Sequence, residues 1–261
     1  MKKRGKSAQV TIFIILAILI LVIIIVIFIK TSSQKQNIGR KYFEQEGLQP
    51  SIINIQNFIV DCLEETSKQA IITIGIQGGY SNKPDYYFDM EWAFIPYYYY
   101  QGLILMPEKT KIENELSSYV NSNIESCIDK IKFQNFLLTY SKPITKTTIN
   151  KGYTSFTTQL PVKIEHEGNT INFDLNQHPI SINSSLYEII EVADYITNSH
   201  KENPELMCIN CITELAKERK LYVDFIAIEK DTSLVMILEN RTMETPYIFQ
   251  FLNKYEFQVN P

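Results

Sequence analysis

The chain has 261 residues, 45% of them hydrophobic, and its 25 basic against 29 acidic side chains give a formal net charge of −4 at pH 7. Residues 1–30 hold five basic and no acidic side chains, which leaves 20 basic against 29 acidic, a net of −9, for the remainder. A body that acidic argues against nucleic acid as its partner.

Eighteen apolar residues run unbroken from Ile12 to Ile29, behind Lys2, Lys3, Arg4 and Lys6. At ~1.5 Å rise per residue, a helix over residues 10–29 spans ~30 Å, the hydrocarbon thickness of a bilayer. Thr11 is its only polar member, so it lacks the polar face of an amphipathic core helix. The pattern predicts a retained single-pass signal-anchor, with the lipid bilayer as partner through residues 10–29. A cleaved signal would have a shorter apolar region, ~7–15 residues, and a small-x-small site. By the positive-inside rule, residues 1–9 form a cytoplasmic tail and the rest of the chain lies outside the cell membrane, although Lys30, Lys35, Arg40 and Lys41 dilute the bias. Residues 30–50, polar and holding Gly39 and Gly47, read as a tether. Residues 51–261 then form an extracytoplasmic α+β domain.

Ser51–Gln77 reads as one helix, with Ile52, Ile55, Ile59, Cys62, Thr66, Ala70 and Ile74 on one stripe and Gly78-Gly79 as a stop. A second helix is predicted from about Glu108 to Lys130, with Ile112, Leu116, Tyr119 or Val120, Ile124, Cys127 and Ile131 on its stripe. Each helix carries one cysteine on its apolar face, so packing the faces together predicts a Cys62–Cys127 bridge; the alternative is two free buried thiols. The chain holds four cysteines, and the other two form Cys208-Ile209-Asn210-Cys211. That CxxC falls in a predicted helix, Glu205–Lys220, with Asn203 as N-cap and Pro204 in the first turn. A local structural disulfide, a redox pair, and free thiols or a metal site all remain open for it. A redox site would put the first cysteine at the helix N-terminus after a strand, and here it falls about a turn inside. A zinc site lacks a second ligand pair, since His166, His178 and His200 are isolated in sequence.

Between the two long helices, residues 78–107 are dense in aromatics. Tyr86, Trp92, Tyr97, Tyr98 and Tyr99 are the candidate binding patch, because exposed rings stack on sugars or anchor partners. The alternative is that the rings cover the helices or pair in a hairpin. From Phe136 to Asn183 the period becomes two, which predicts an antiparallel β-meander with one face packed, turning at Glu167-Gly168-Asn169. A helix over Ser185–Ser199 and strands at Tyr222–Glu229, Leu234–Glu239 and Tyr247–Leu252 complete the domain, with a subdomain split near residue 183 left open. Sequons at Asn183 and Asn240 fit an exported chain.

No phosphate-binding glycine loop, nucleophile elbow, HExxH or EF-hand pattern occurs, and acid pairs such as Glu64-Glu65 read as solvated helix surface. No cofactor and no catalytic residue is therefore assigned.

The segment Lys3-Arg4-Gly5-Lys6-Ser7-Ala8-Gln9-Val10-Thr11-Ile12 resembles the start of archaeal proteins with class III, type IV pilin-like, signal segments. It departs from them in placing Lys6-Ser7-Ala8 between Gly5 and Gln9, and in having no glutamate in the apolar run. Asp61-Cys62-Leu63-Glu64-Glu65-Thr66, Gln77-Gly78-Gly79-Tyr80, Ile95-Pro96-Tyr97-Tyr98-Tyr99, Glu125-Ser126-Cys127 and Cys208-Ile209-Asn210-Cys211 resemble segments of an uncharacterised family of membrane-anchored proteins from small-genome archaea. This resemblance implies a single-pass surface protein with paired cysteines, and no activity.

The expectation is an α+β protein: an N-terminal transmembrane helix, then an extracytoplasmic domain of long amphipathic helices on antiparallel β-sheet. Its expected role is structural or binding, with surface proteins or further copies of itself as partners. The alternatives are a pilin-like filament subunit and a membrane-tethered thiol oxidoreductase using Cys208 and Cys211.

Overall fold

The computed structural model describes residues 52–91, 93–130, 136–166, 168–202, 208–239 and 247–255. The expected tail, membrane span and tether lie outside the described residues, as do Trp92, the Asn203-Pro204 cap and the Asn240 sequon. Among the described residues no helix is long and apolar enough to cross a membrane.

Helix α1 (Ile52–Ile76) follows from apolar and small residues at three- and four-residue spacing, and it buries Ile55, Ile59, Cys62, Leu63, Thr66, Ala70 and Ile74. It ends in a Schellman turn: Gly79 N–H donates to Ile74 O at 2.8 Å and Gly78 N–H to Gly75 O at 3.1 Å, with Gly78 at φ +51°. A Cβ on Gly75 would lie 2.6 Å from Ile248 O, so only glycine lets this helix end approach that backbone. Helix α2 (Lys109–Ile128) buries Ile112, Leu116, Val120, Ile124 and Ile128. Both long helices lie within two residues of the expected boundaries.

The aromatic segment between them forms β1 (Tyr87–Asp89), β2 (Phe94–Tyr100) and β3 (Leu103–Ile104). β2 continues into a sheet with β10 (Leu221–Glu229), β11 (Thr232–Glu239) and β12 (Ile248–Lys254), in the order β1-β2-β12-β11-β10, with β3 beside β2. The expectation of antiparallel sheet needs one correction here, because β2 pairs with β12 in parallel, Tyr97 opposite Leu252. Alternation of side chains is the same in both pairing modes, so the residues alone do not encode this direction.

The meander is corrected in a different way. Its strands β4 (Phe136–Tyr140), β5 (Ile144–Asn150), β6 (Tyr153–Gln159), β7 (Pro161–His166), β8 (Asn169–Asp174) and β9 (Ile180–Asn183) form two three-stranded sheets, β4-β7-β8 and β5-β6-β9. These are the two halves of three long arms. The central arm keeps one inward parity throughout, burying Thr154, Phe156, Thr158, Leu160, Val162 and Ile164. Between the pairs Tyr140↔Val162 and Ile144↔Gln159, the first arm carries one residue more than the central one. Between Phe156↔Ile180 and Pro161↔Asp174, the third arm does the same through the 3-10 turn Leu175–Gln177. Each extra residue acts as a bulge and switches the inward parity, from Leu138 to Thr145 in one arm and from Phe173 to Ile180 in the other.

Strand β5 is an edge, yet its outward backbone groups are met by a stripe on α2. Thr145 N–H donates to Asn121 Oδ1 at 2.8 Å, Thr147 N–H to Ser117 Oγ at 3.0 Å and Ile149 N–H to Glu113 Oε1 at 2.9 Å. Lys109 Nζ donates to Ile149 O at 3.2 Å. Four helical residues rise ~6.0 Å and two strand residues ~6.8 Å, so the two repeats stay in step over these rungs.

Helix α3 (Leu186–Glu202) buries Leu186, Ile189, Val192, Ala193 and Ile196, and α4 (Ile209–Glu218) buries Ile212 and Ala216. One buried cluster includes Phe156, Leu186 and Val235, on both sides of residue 183, which is the last residue of β9.

Candidate functional site

The cysteines fall into two environments. Cys62 and Cys127, on the facing sides of α1 and α2, are bonded at 2.08 Å with Cα atoms 5.7 Å apart, and Cys62 is buried. This bridge ties two helices across 65 residues of chain. Cys208 and Cys211 are also bonded, and both are exposed, as are Ile209 and Asn210 between them.

The start of α4 differs from the expected one. Cys208 is the N-cap of the helix, outside it and not a turn within, with φ −76° and ψ 80°. Cys211 N–H donates to Cys208 Sγ at 3.3 Å, the hydrogen bond that an N-cap side chain makes. The helix is anchored from its other face by Ile212 and Ala216, and at its C-terminal end Arg219 Nε meets Glu191 Oε2 of α3 at 3.0 Å.

The described aromatic residues of segment 78–107 divide between the core and the surface. Tyr98 lies fully in the core, stacked on Phe251 at 4.2 Å, with its hydroxyl donating to Gly78 O at 3.0 Å. Tyr99 is also buried. The run of four tyrosines is divided, Tyr98 and Tyr99 buried and Tyr97 and Tyr100 partly exposed, where the pairing of β2 with β12 shifts register between Leu252 and Asn253. Tyr86 and Tyr97 remain at the surface and cluster with Tyr100, whose ring lies 4.9 Å from Tyr86 and 5.1 Å from Tyr97. Lys254 Nζ stands 5.9 Å from the Tyr100 ring centre.

This cluster borders a surface that the sequence reading missed. Residues directly opposite in neighbouring strands share a face. One face of β10, β11 and β12 therefore carries the rows Tyr222–Leu238–Ile248, Asp224–Met236–Gln250 and Ile226–Leu234–Leu252, the last continuing to Tyr97. Tyr222, Ile226 and Ile228 are 59%, 44% and 40% exposed. The opposite face, with Val223, Phe225, Val235, Ile237, Phe249 and Phe251, belongs to the core. The available signal was that Tyr222–Ile228, Asp224 excepted, is apolar at both parities, in a strand that forms the sheet edge.

Two shallow polar grooves complete the surface. One, of about 550 Å³, lies between Gln56 and Asn57 of α1 and Asn172, Asp174, Gln177 and His178. The other, of about 460 Å³, is lined by Phe136, Glu165 and His166, with the imidazole stacked on Phe136 at 4.0 Å. Among the described residues, Asp174 is the carboxylate lining the first groove and Glu165 the one lining the second. Among the described residues no three His, Cys, Asp or Glu side chains converge as a metal site. Asn183 is exposed at the end of β9. Glu64 pairs with Lys68 on an open helix face at 2.5 Å.

With this geometry in view, comparison with protein families, with characterised proteins and with solved structures finds no match to the chain.

Proposed function

We propose that this chain is a membrane-anchored extracytoplasmic protein with a structural or binding role, held by residues 10–29 and braced by disulfides. The observation that carries the reading is that all four cysteines are paired, none being left as a free thiol. Disulfides persist in oxidising compartments and are rare in the cytosol. The apolar run with basic residues ahead of it supplies the anchor, and the acidic body suits a solvated exterior. Binding in this reading belongs to the surface around Tyr86, Tyr97 and Tyr100 rather than to a pocket.

The test is intact mass and N-terminal peptide mapping of the protein extracted from membranes, alkylated with and without prior reduction. An intact N-terminus with four cysteines protected until reduction is the expected result. Recovery in the soluble fraction with alkylated cysteines would remove the reading. An N-terminus shortened between Gly5 and Gln9, together with high-order assemblies, would replace it with the filament-subunit alternative.

A further inference from the structure

We propose that Cys208 and Cys211 form a thiol–disulfide exchange site that transfers its disulfide to a peptide dithiol. The two bridges differ in what they join. Cys62–Cys127 connects α1 to α2, whereas Cys208–Cys211 joins residues three apart at the start of one helix. The anchoring of α4 by Ile212, Ala216 and Arg219–Glu191 does not pass through the second bridge. A bridge that connects no two elements, with all four residues of its loop exposed, is reachable by another thiol.

The position of the pair also suits a leaving thiolate. Cys208 occupies the N-cap, and Cys211 N–H already points at its sulfur at 3.3 Å. That N–H and the positive end of the helix dipole favour negative charge on Cys208, and no acidic residue stands in the first turn to oppose it. Ile209, 57% exposed between the cysteines, offers an apolar contact for an incoming peptide.

The exchange balances without a bound cofactor. A substrate thiolate attacks Cys208 Sγ; the Cys208–Cys211 bond breaks, and Cys211 leaves as a thiolate that takes a proton from water. The second substrate thiolate then attacks the substrate sulfur of the mixed disulfide and expels Cys208 as the stabilised thiolate. Two electrons pass from the peptide to the protein, and the peptide gains the disulfide. A small-molecule disulfide such as oxidised glutathione restores the pair by the reverse exchanges. The step does not depend on the membrane anchor, so its failure would leave the proposed localisation intact.

The test uses the full oxidised chain in detergent and a synthetic two-cysteine peptide as probe. One equivalent of peptide disulfide should form per chain, roughly tenfold faster than with oxidised glutathione at the same concentration. Cys208→Ser should abolish this phase. Cys211→Ser, its Cys208 first activated as a mixed disulfide with glutathione, should release glutathione to a one-cysteine peptide and keep that peptide on Cys208. In the reduced chain, the pH profile of iodoacetamide alkylation should place Cys208 below an ordinary thiol. Peptide oxidation no faster than with glutathione, or unaltered in Cys208→Ser, would assign the pair to stapling the helix start. Should Cys208→Ser fail to fold, the wild-type rate and the Cys211→Ser adduct decide the matter alone.

Discussion

Tyr98 places a polar atom in the deepest part of the core, and it is tolerated because Gly78 O accepts from its hydroxyl at 3.0 Å. Tyr98→Phe keeps the stacking on Phe251 and strands the carbonyl, so it should cost about 1–2 kcal/mol in urea unfolding. A neutral result would mean that water reaches Gly78 O. Glu115 is the counterpart on α2. Burial pushes its carboxyl up, but Lys111 Nζ at 2.8 Å and the Ser81 N–H and hydroxyl outweigh this and hold it below the ordinary 4.5. A lowered folded value means that the unfolded chain binds its proton first. The stability it contributes is therefore complete above pH 4.5 and is lost as pH falls through the folded value. Glu115→Gln should flatten the fall of unfolding free energy between neutral and acid pH, and an unchanged slope would show that Glu115 is not coupled to folding.

At the scale of elements, the stripe Lys109, Glu113, Ser117 and Asn121 explains how β5 remains an edge without offering its backbone to another strand. Ser117 is the central rung, accepting from Thr147 N–H at 3.0 Å and bonding its hydroxyl at 2.9 Å. Ser117→Ala should cost about 1–3 kcal/mol and speed amide exchange at Thr147. The exposed Asn123, which donates to Tyr119 O of its own helix, is the control, and Asn123→Ala should be near neutral. Equal effects of the two would refute the ladder. The outer side of β10 has the opposite character, since Tyr222 and Ile226 are open to solvent, while Leu252 two strands away in the same row is buried. Ile226→Thr keeps β-branching and should change stability by no more than about 0.5 kcal/mol. A loss above 2 kcal/mol would show that this face is covered.

At the scale of the molecule, the two disulfides contribute unequally. The chain-entropy model gives about 4 kcal/mol for a closed loop of 65 residues and under ~2 kcal/mol for one of three. Replacing Cys62 and Cys127 together with alanine should lower the melting temperature by roughly 10 °C, at ~2–4 °C per kcal/mol for a domain of this size. The same change at Cys208 and Cys211 should lower it by less than half as much. Calorimetry of both double variants measures the ordering, and a reversed order would mean that the short bridge carries tertiary structure.

Both long helices, the positions of most strands and the facing of Cys62 towards Cys127 were legible in the residues, because helical stripes and strand alternation are local consequences of backbone geometry. What depends on distant chain was not legible. The parallel join of β2 to β12 and the division of the tyrosine run between core and surface are set by strands far apart in sequence. The parity switches beside the central arm are set by register between arms, where one extra residue reverses which side chains face inward. The start of α4 at Cys208 belongs to the same class: Asn203 and Pro204 are plausible caps by local chemistry, and the non-helical backbone at Cys208 starts the helix later. That displacement turns the CxxC from residues inside a helix into an exposed N-terminal pair, because a one-turn shift decides whether a sulfur meets the last free N–H groups or a completed helical turn.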